Sequence, residues 1–510
     1  MLMDTIANEK IGHLIAQIRQ ERGLTQAEFA KRLGTSQSAV NRMEHGKQNL
    51  TLDTLAHISD VLNKQLISLS GSAVNLRIEG GHELSGEITL KTSKNAAVGL
   101  LCASLLNYGV TKFTSFPKIE EVFRIIEVLE SIGVKIKWVN GSDLEIRRPR
   151  DLKLDELDAE AARKTRSVLM MIGPLMHSYK NFKIPYAGGC KLGSRSVEPH
   201  LFALEQFGVN IVATKGHYDV TVDKKPAGRI TLFESGDTVT ENTLLAASRF
   251  PQETIIEMAS ANYAIQDVAL FLRKLGVKVS GLGSTTLRVE GVSTIIKKNI
   301  TYAPVEDPIE AMFFTSVAVT TNSSITIRRV PIEFMSLELL KLKKMGLVVD
   351  ESERYKAANG YTDLIDLTIH KHNGTLKALA GKIYSRPFPG LNADNLPYFV
   401  PIAAVVNGRT LIHDWMYENR AIYYTEMSKV GMNVELADPH RVYIQGPTKF
   451  TKADAVCPPA LRPASLLLIG MLVAEGVSTL RNIYTINRGY EDLAERLNSL
   501  GAHIQVFHEM

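Results

Sequence analysis

Cysteine is scarce in this chain: three residues in 510, at Cys102, Cys190 and Cys457. An odd, sparse set argues against a disulfide framework and favours free thiols in a reducing compartment. No apolar run reaches the length of a membrane span. The opening residues, MLMDTIANEKIGHL, lack a basic stretch followed by an apolar one, so no secretory leader is expected. Charge of one sign is not in large excess either. Lys and Arg total 59 and Asp and Glu 54, a net of +5 spread along the chain, which does not by itself argue for nucleic acid. No metal-ligand motif appears, and neither a metal nor a cofactor is expected. What is present is ordinary for a globular protein, 45% hydrophobic and 22% charged. The length is too great for one core, so a cytoplasmic protein of about two to four domains is expected, with no membrane partner.

Residues Ile11 to Leu69 read as short amphipathic helices, with apolar positions at Leu14, Ile15, Ile18, Phe29, Leu33, Val40, Met43, Leu55 and Ile58 in helical spacing. Thr25 followed by Glu28 is a capping-box pattern opening a second helix. Gly34 closes that helix and Ser36 caps a third, across a break of helix-turn-helix length. The stretch LTQAEFAKRLGTSQSAVNRMEHGKQNLTLDTL resembles the phage-repressor-type helix-turn-helix. The resemblance implies a recognition helix from Ser36 to Glu44, with Gln37, Ser38, Asn41 and Arg42 facing DNA and Gln26 at a phosphate. It also implies pairing into a homodimer. The alternative is a plain helical bundle used for dimerisation or docking.

From there to the C-terminus one phrase recurs: a helical apolar run, a glycine, then a short apolar strand. The glycines are Gly133, Gly208, Gly276, Gly346, Gly431 and Gly501, at spacings of 68 to 85 residues. Each is expected to end its helix in the left-handed conformation. Earlier apolar helices are predicted within the units, over Asn95 to Leu106, Thr165 to Met176 and Thr240 to Ser248. Six such α/β units suit two globules of three; solenoid stacking is the competing arrangement and usually has shorter repeats.

Three segments are hard to explain as core. Lys94 and Asn95 stand at the mouth of an otherwise apolar helix, where a lysine can meet an anion beside free backbone N–H groups. Cys190 follows two glycines, with Lys191 and Arg195 beside it, a cationic setting that raises the thiolate fraction. Cys102, in GLLCASLL, reads instead as a buried small hydrophobe. Asp394 lies in a proline- and asparagine-rich loop, and Arg462 and Arg488 sit at helix edges. An aspartate before a helix is most often a cap.

The motifs SKNAA, GGCKLGSR, WMYENR and INRGYEDLAERLNSLGA resemble those of the UDP-N-acetylglucosamine enolpyruvyl transferase family. The match runs from about Val74 to the C-terminus. The resemblance implies a two-globule, inside-out α/β barrel of six repeats, helices within and sheets without. It divides the chain into 1–69 for the helical domain, 70–73 for a linker, 74–92 with 306–510 for one globule, and 93–305 for the other, which carries Cys190. It implies phosphoenolpyruvate and a uridine-diphosphate sugar as substrates. Lys94, Arg195 and Arg488 would clamp the anionic donor, with Arg166 and Arg462 in support. Cys190 would be the general acid and Asp394 the base or orienter. Asn95, Glu198, His200, Asp307 and Met416 would contact substrate. Four positions depart from the family pattern: Glu198 replaces an aspartate, Leu232 and Glu120 each replace a lysine, and Ala460 replaces an acid. These departures leave open a different uridine nucleotide as acceptor, and the fused helical domain leaves open a regulator with a ligand-sensing body.

Overall fold

The computed structural model describes residues 2–48, 50–62, 74–186 and 196–508. The expected linker at 70–73 and the loop carrying Cys190, Lys191 and Arg195 lie outside the described residues.

Four helices open the chain: α1 (Leu2–Glu21), α2 (Gln26–Arg32), α3 (Gln37–Glu44) and α4 (Leu52–Val61). The capping box forms as expected. The Thr25 hydroxyl accepts from the Glu28 amide at 3.2 Å, and the Glu28 carboxylate accepts from the Thr25 amide at 2.7 Å. Ser36 caps α3 by accepting from the Ala39 amide. Ile15, Ile18, Phe29, Val40 and Ile58 form a small core separate from that of the body. Glu44, buried at the end of α3, is gripped by the Arg19 guanidinium and accepts from Gln26 at 2.8 Å.

The body is built from six small sheets. Three draw on residues 74–89 and 324–508, and three on residues 110–302. In each set the helices are inside. Every residue of Pro308–Thr320 is buried, as are residues 96–104 of α5 (Lys94–Ser104) and residues 239–247 of Asp237–Ala247. Strands alternate burial with exposure, as half-buried sheets do. The first body strand, Val74–Gly80, lies between Gly476–Arg481 and His503–His508, so the start of the body is knitted to its end. All six repeat glycines have positive φ, from 81° to 105°. At Gly208 a β-carbon would also sit 1.9 Å from the Asp223 carbonyl oxygen, so that position tolerates no side chain.

Two predicted helices differ in form. The helix expected over Thr165–Met176 begins as a 3-10 turn, Arg166–Met171, and becomes α-helical only at Ile172–Leu175. Pro174 has no amide to donate to the preceding turn. The run before Gly431 is 3-10 throughout, Ala421–Val430.

Candidate active site

The site is assembled where the two sets of sheets meet. Lys94 opens α5, whose cap is Ser93, accepting from the Ala96 amide. Behind it, α6 (Glu120–Ser131) starts with two carboxylates, favourable at a helix N-terminus. The second of them, Glu121, accepts from Arg488 at 3.1 Å and from the Thr165 hydroxyl at 2.8 Å. Burial alone would raise the Glu121 pKa, but the Lys94 charge, the Thr165 hydrogen bond and Arg488 hold it below the usual carboxylate range. Two cations predicted as donor clamps, one from each set of sheets, therefore converge on one half-buried anion.

A second cluster surrounds Arg462, in the first turn of Leu461–Val473. It donates to Asp394 at 3.4 Å and to the Tyr398 hydroxyl at 3.5 Å. Asp394 also accepts from Arg420 at 3.4 Å. Arg420 is itself locked by Asp414 and by the Ala393 carbonyl. Asp307 caps Pro308–Thr320 through the Ile309 and Glu310 amides. Burial, with the Glu310 carboxylate adding and Arg462 opposing, pushes the Asp307 pKa up to about 6. Asn95 donates to the Tyr263 hydroxyl at 3.0 Å. That phenol is held well above its ordinary pKa by burial and by the charges of Asp307, Asp394 and Asp237, which places Asn95 and the acids around one tyrosine.

Arg166, Glu198 and His200 lie toward residues 196–242. Arg166 donates to the Ser196 carbonyl at 2.5 Å, next to the Cys190 loop. Glu198 is exposed and accepts from the Ser196 hydroxyl, forming a local turn at its helix start. His200 is 4% exposed and faces inward. Its Nδ1 accepts from Asn242 at 3.1 Å and its Nε2 lies 3.3 Å from the Thr238 hydroxyl. Burial and the Arg166 charge push its pKa down to about 4, so it is a neutral ring behind Arg166. Met416 is 38% exposed on the loop before Arg420. In the N-terminal domain Gln37, Ser38, Asn41 and Arg42 are all exposed, while Gln26 is half-buried against Glu44.

Sequence reasoning passed over Glu121, Tyr263, Asp237 and Arg420. Arg420 was within reach, as the arginine of WMYENR. The other three carry no local signal, because their partners come from distant parts of the chain. Cys102 and Cys457 are buried, and burial raises both thiol pKa values, that of Cys457 to about 12.

Cations gathered at the junction of two three-sheet halves, with an aspartate held between two arginines, fit the class the comparisons show: an enolpyruvyl (1-carboxyvinyl) transferase preceded by a helix-turn-helix domain. The chain belongs to the family described as EPSP synthase (3-phosphoshikimate 1-carboxyvinyltransferase), whose model matches residues 78–497, and a helix-turn-helix model matches residues 15–69. Within that family it is similar to UDP-N-acetylglucosamine 1-carboxyvinyltransferases. That of Gloeobacter violaceus is 30% identical over 436 residues, covering 84% of this chain and 90% of the relative. That of Helicobacter pylori is 31% identical over 432 residues, covering 84% and 98%. Among solved structures, the enolpyruvyl transferase NikO from Streptomyces tendae superposes with a TM-score of 0.73 at 21% identity, covering 86% of this chain and all of that one. EPSP synthase from Acinetobacter baumannii gives 0.65 at 18%, covering 85% of this chain and all of that one. Among the described residues, no helix is long and apolar enough to cross a membrane.

Proposed function

We propose that this transferase moves the enolpyruvyl group of phosphoenolpyruvate to the 3-hydroxyl of UDP-N-acetylglucosamine, releasing phosphate, in cytoplasmic synthesis of peptidoglycan precursor. The observation that carries the reading is the meeting of Lys94 and Arg488 on the Glu121 carboxylate. The same pair suits a phosphate, whose dense charge needs preorganised cations in a site that excludes water. The family resemblance adds Arg195 to this clamp, with Arg166 and Arg462 in support.

The chemistry then proceeds by addition and elimination. Cys190 gives its proton to the methylene carbon of phosphoenolpyruvate. The sugar hydroxyl oxygen bonds to the neighbouring carbon, and its proton passes to Asp394. A proton of the new methyl group then returns to the Cys190 thiolate as the C–O bond to phosphate breaks, which restores the double bond in the product and the thiol in the enzyme. Arg420 and Arg462 each hold one Asp394 oxygen, so the carboxylate is fixed in place as base or orienter of the hydroxyl. Asn95 holds the sugar, with Asp307 near it, and Met416, Glu198 and His200 border or support the nucleotide.

The test is phosphate release from phosphoenolpyruvate with UDP-N-acetylglucosamine as acceptor. Release only with another uridine nucleotide would reject that acceptor and keep the transferase. This second reading is favoured by Leu232 and Ala460, both buried where the family places charged groups. The exposed face of α3 supports duplex DNA as a partner; a homodimer as its binding form rests on the resemblance to repressor-type domains. Footprinting on genomic DNA tests the former: no protected site at physiological salt would discard it.

A further inference from the structure

The helix-turn-helix domain is docked on the transferase, against the helix that carries the clamp carboxylate. Arg22, 5% exposed at the end of α1, pairs with Glu120 at 3.0 Å, and its guanidinium carbon lies 3.7 Å from the centre of the Phe123 ring. Glu120 is 2% exposed and is also held by Arg124. Next along the chain, Gly23 has a φ of 63° and lies so close to Trp138 that a β-carbon there would sit 2.5 Å from that side chain. The Gly23 carbonyl accepts from Lys118 at 3.2 Å. On the other half of the body, Arg32 pairs with Asp492 at 3.1 Å, with both side chains about one-third exposed.

These contacts fall on the seam where the clamp is made. Residues 118–121 face residues 488–492 across it. The Lys118 amide donates to Glu491 at 2.9 Å, and Arg488 donates to Glu121. Adjacent carboxylates at the start of α6 thus point to different masters: Glu120 to the N-terminal domain, Glu121 to the cations of the clamp. The family lysine replaced by Glu120 also finds its explanation here. The position has become the ion-pair partner of Arg22, which fixes the first turn of α6 and with it the seat of Glu121. Phosphoenolpyruvate must take Lys94 and Arg488 from that carboxylate.

We propose that the docked N-terminal domain is a built-in competitive brake. By pinning α6 through Arg22 and Glu120 it holds Glu121 on the donor clamp, and donor binding and domain docking oppose one another. Linkage makes the opposition reciprocal: whatever releases the domain tightens phosphoenolpyruvate, and phosphoenolpyruvate loosens the domain.

The inference rests on the transferase reading, and one assay separates the two. In the full chain, Arg22→Ala on the domain side removes the Glu120 and Phe123 contacts, and Trp138→Ala on the body side removes the packing on Gly23, so the same interface is weakened from opposite faces. Both should lower KM for phosphoenolpyruvate by about fivefold or more, the lower end of typical coupling, with kcat little changed, while Arg22→Lys should stay near wild type. Hydrogen exchange over residues 22–33 of the unmutated protein should quicken when phosphoenolpyruvate is added. Unchanged KM in both alanine variants, with the wild type releasing phosphate normally, would overturn the brake. Exchange indifferent to phosphoenolpyruvate at saturating concentration would also overturn it. Absence of phosphate release from the wild type with any uridine nucleotide would instead overturn the transferase reading.

Discussion

His200→Gln separates a group that supports the site from one that touches substrate. The ring is 4% exposed, accepts from Asn242 and sits against Thr238, and its pKa falls from 6.5 to about 4 because burial and Arg166 disfavour its charge. Below pH 6.5 the unfolded chain takes up a proton on this histidine that the folded chain refuses until about pH 4. Folding stability from this group is therefore complete above pH 6.5, declines as pH falls, and is lost by about pH 4. At about 1.4 kcal/mol per pH unit, that window corresponds to roughly 3 kcal/mol. Glutamine can keep both hydrogen bonds and does not titrate. Guanidinium unfolding of the two proteins at pH 7.5 and near pH 4.5 should show the wild type losing about 2–3 kcal/mol more than the variant. Phosphate release at pH 7.5 should keep its KM for the nucleotide. Parallel pH profiles together with a raised nucleotide KM would refute the reasoning and return His200 to direct substrate contact.

Other outcomes follow from the same geometry. An epoxide phosphonate should alkylate Cys190 alone in the native protein, because Cys102 and Cys457 are buried with raised thiol pKa values; peptide mass spectrometry after quenching checks this, and a second modified cysteine would contradict it. Glu44→Gln strips Arg19, 7% exposed, of its charge partner and should cost the N-terminal domain about 3–5 kcal/mol. Calorimetry should show that domain melting earlier while the body transition stays in place. Asp307, with its pKa near 6, should impose an acidic limb on kcat/KM that Asp307→Asn removes, provided the variant still turns over; a limb that survives the substitution would assign it to another group.

What could be read in advance was local. The Thr25–Glu28 box, the Ser36 cap and the six positive-φ glycines depend on residues a few positions apart, and spacing alone encodes them. Lys94, Asp394, Arg462 and Arg488 were visible through motifs, each at the edge of a helix or in a loop beside one. The pairing among them was not. Glu121 meets Arg488 across 367 positions, and Arg32 meets Asp492 across 460. Glu120 looked like a lost nucleotide-side cation because its partner belongs to another domain. The broken helix at Arg166–Leu175 was missed because apolar spacing is blind to a proline that removes one amide.

The knitting of Val74–Gly80 between two strands from the far end of the chain has a consequence for synthesis on the ribosome. The helix-turn-helix core and the three sheets of residues 110–302 draw their strands and core side chains from their own stretches, so both can begin to form while the rest is still being made. The half that begins at Val74 cannot: its opening strand waits, edges unsatisfied, for residues 476–508. The N-terminal domain and one half of the body can therefore be formed before the half that begins at Val74 is completed by its last strand. A truncation that removes His503–His508 is thus expected to leave Val74–Gly80 paired on one side only, turning it into an exposed, aggregation-prone edge strand.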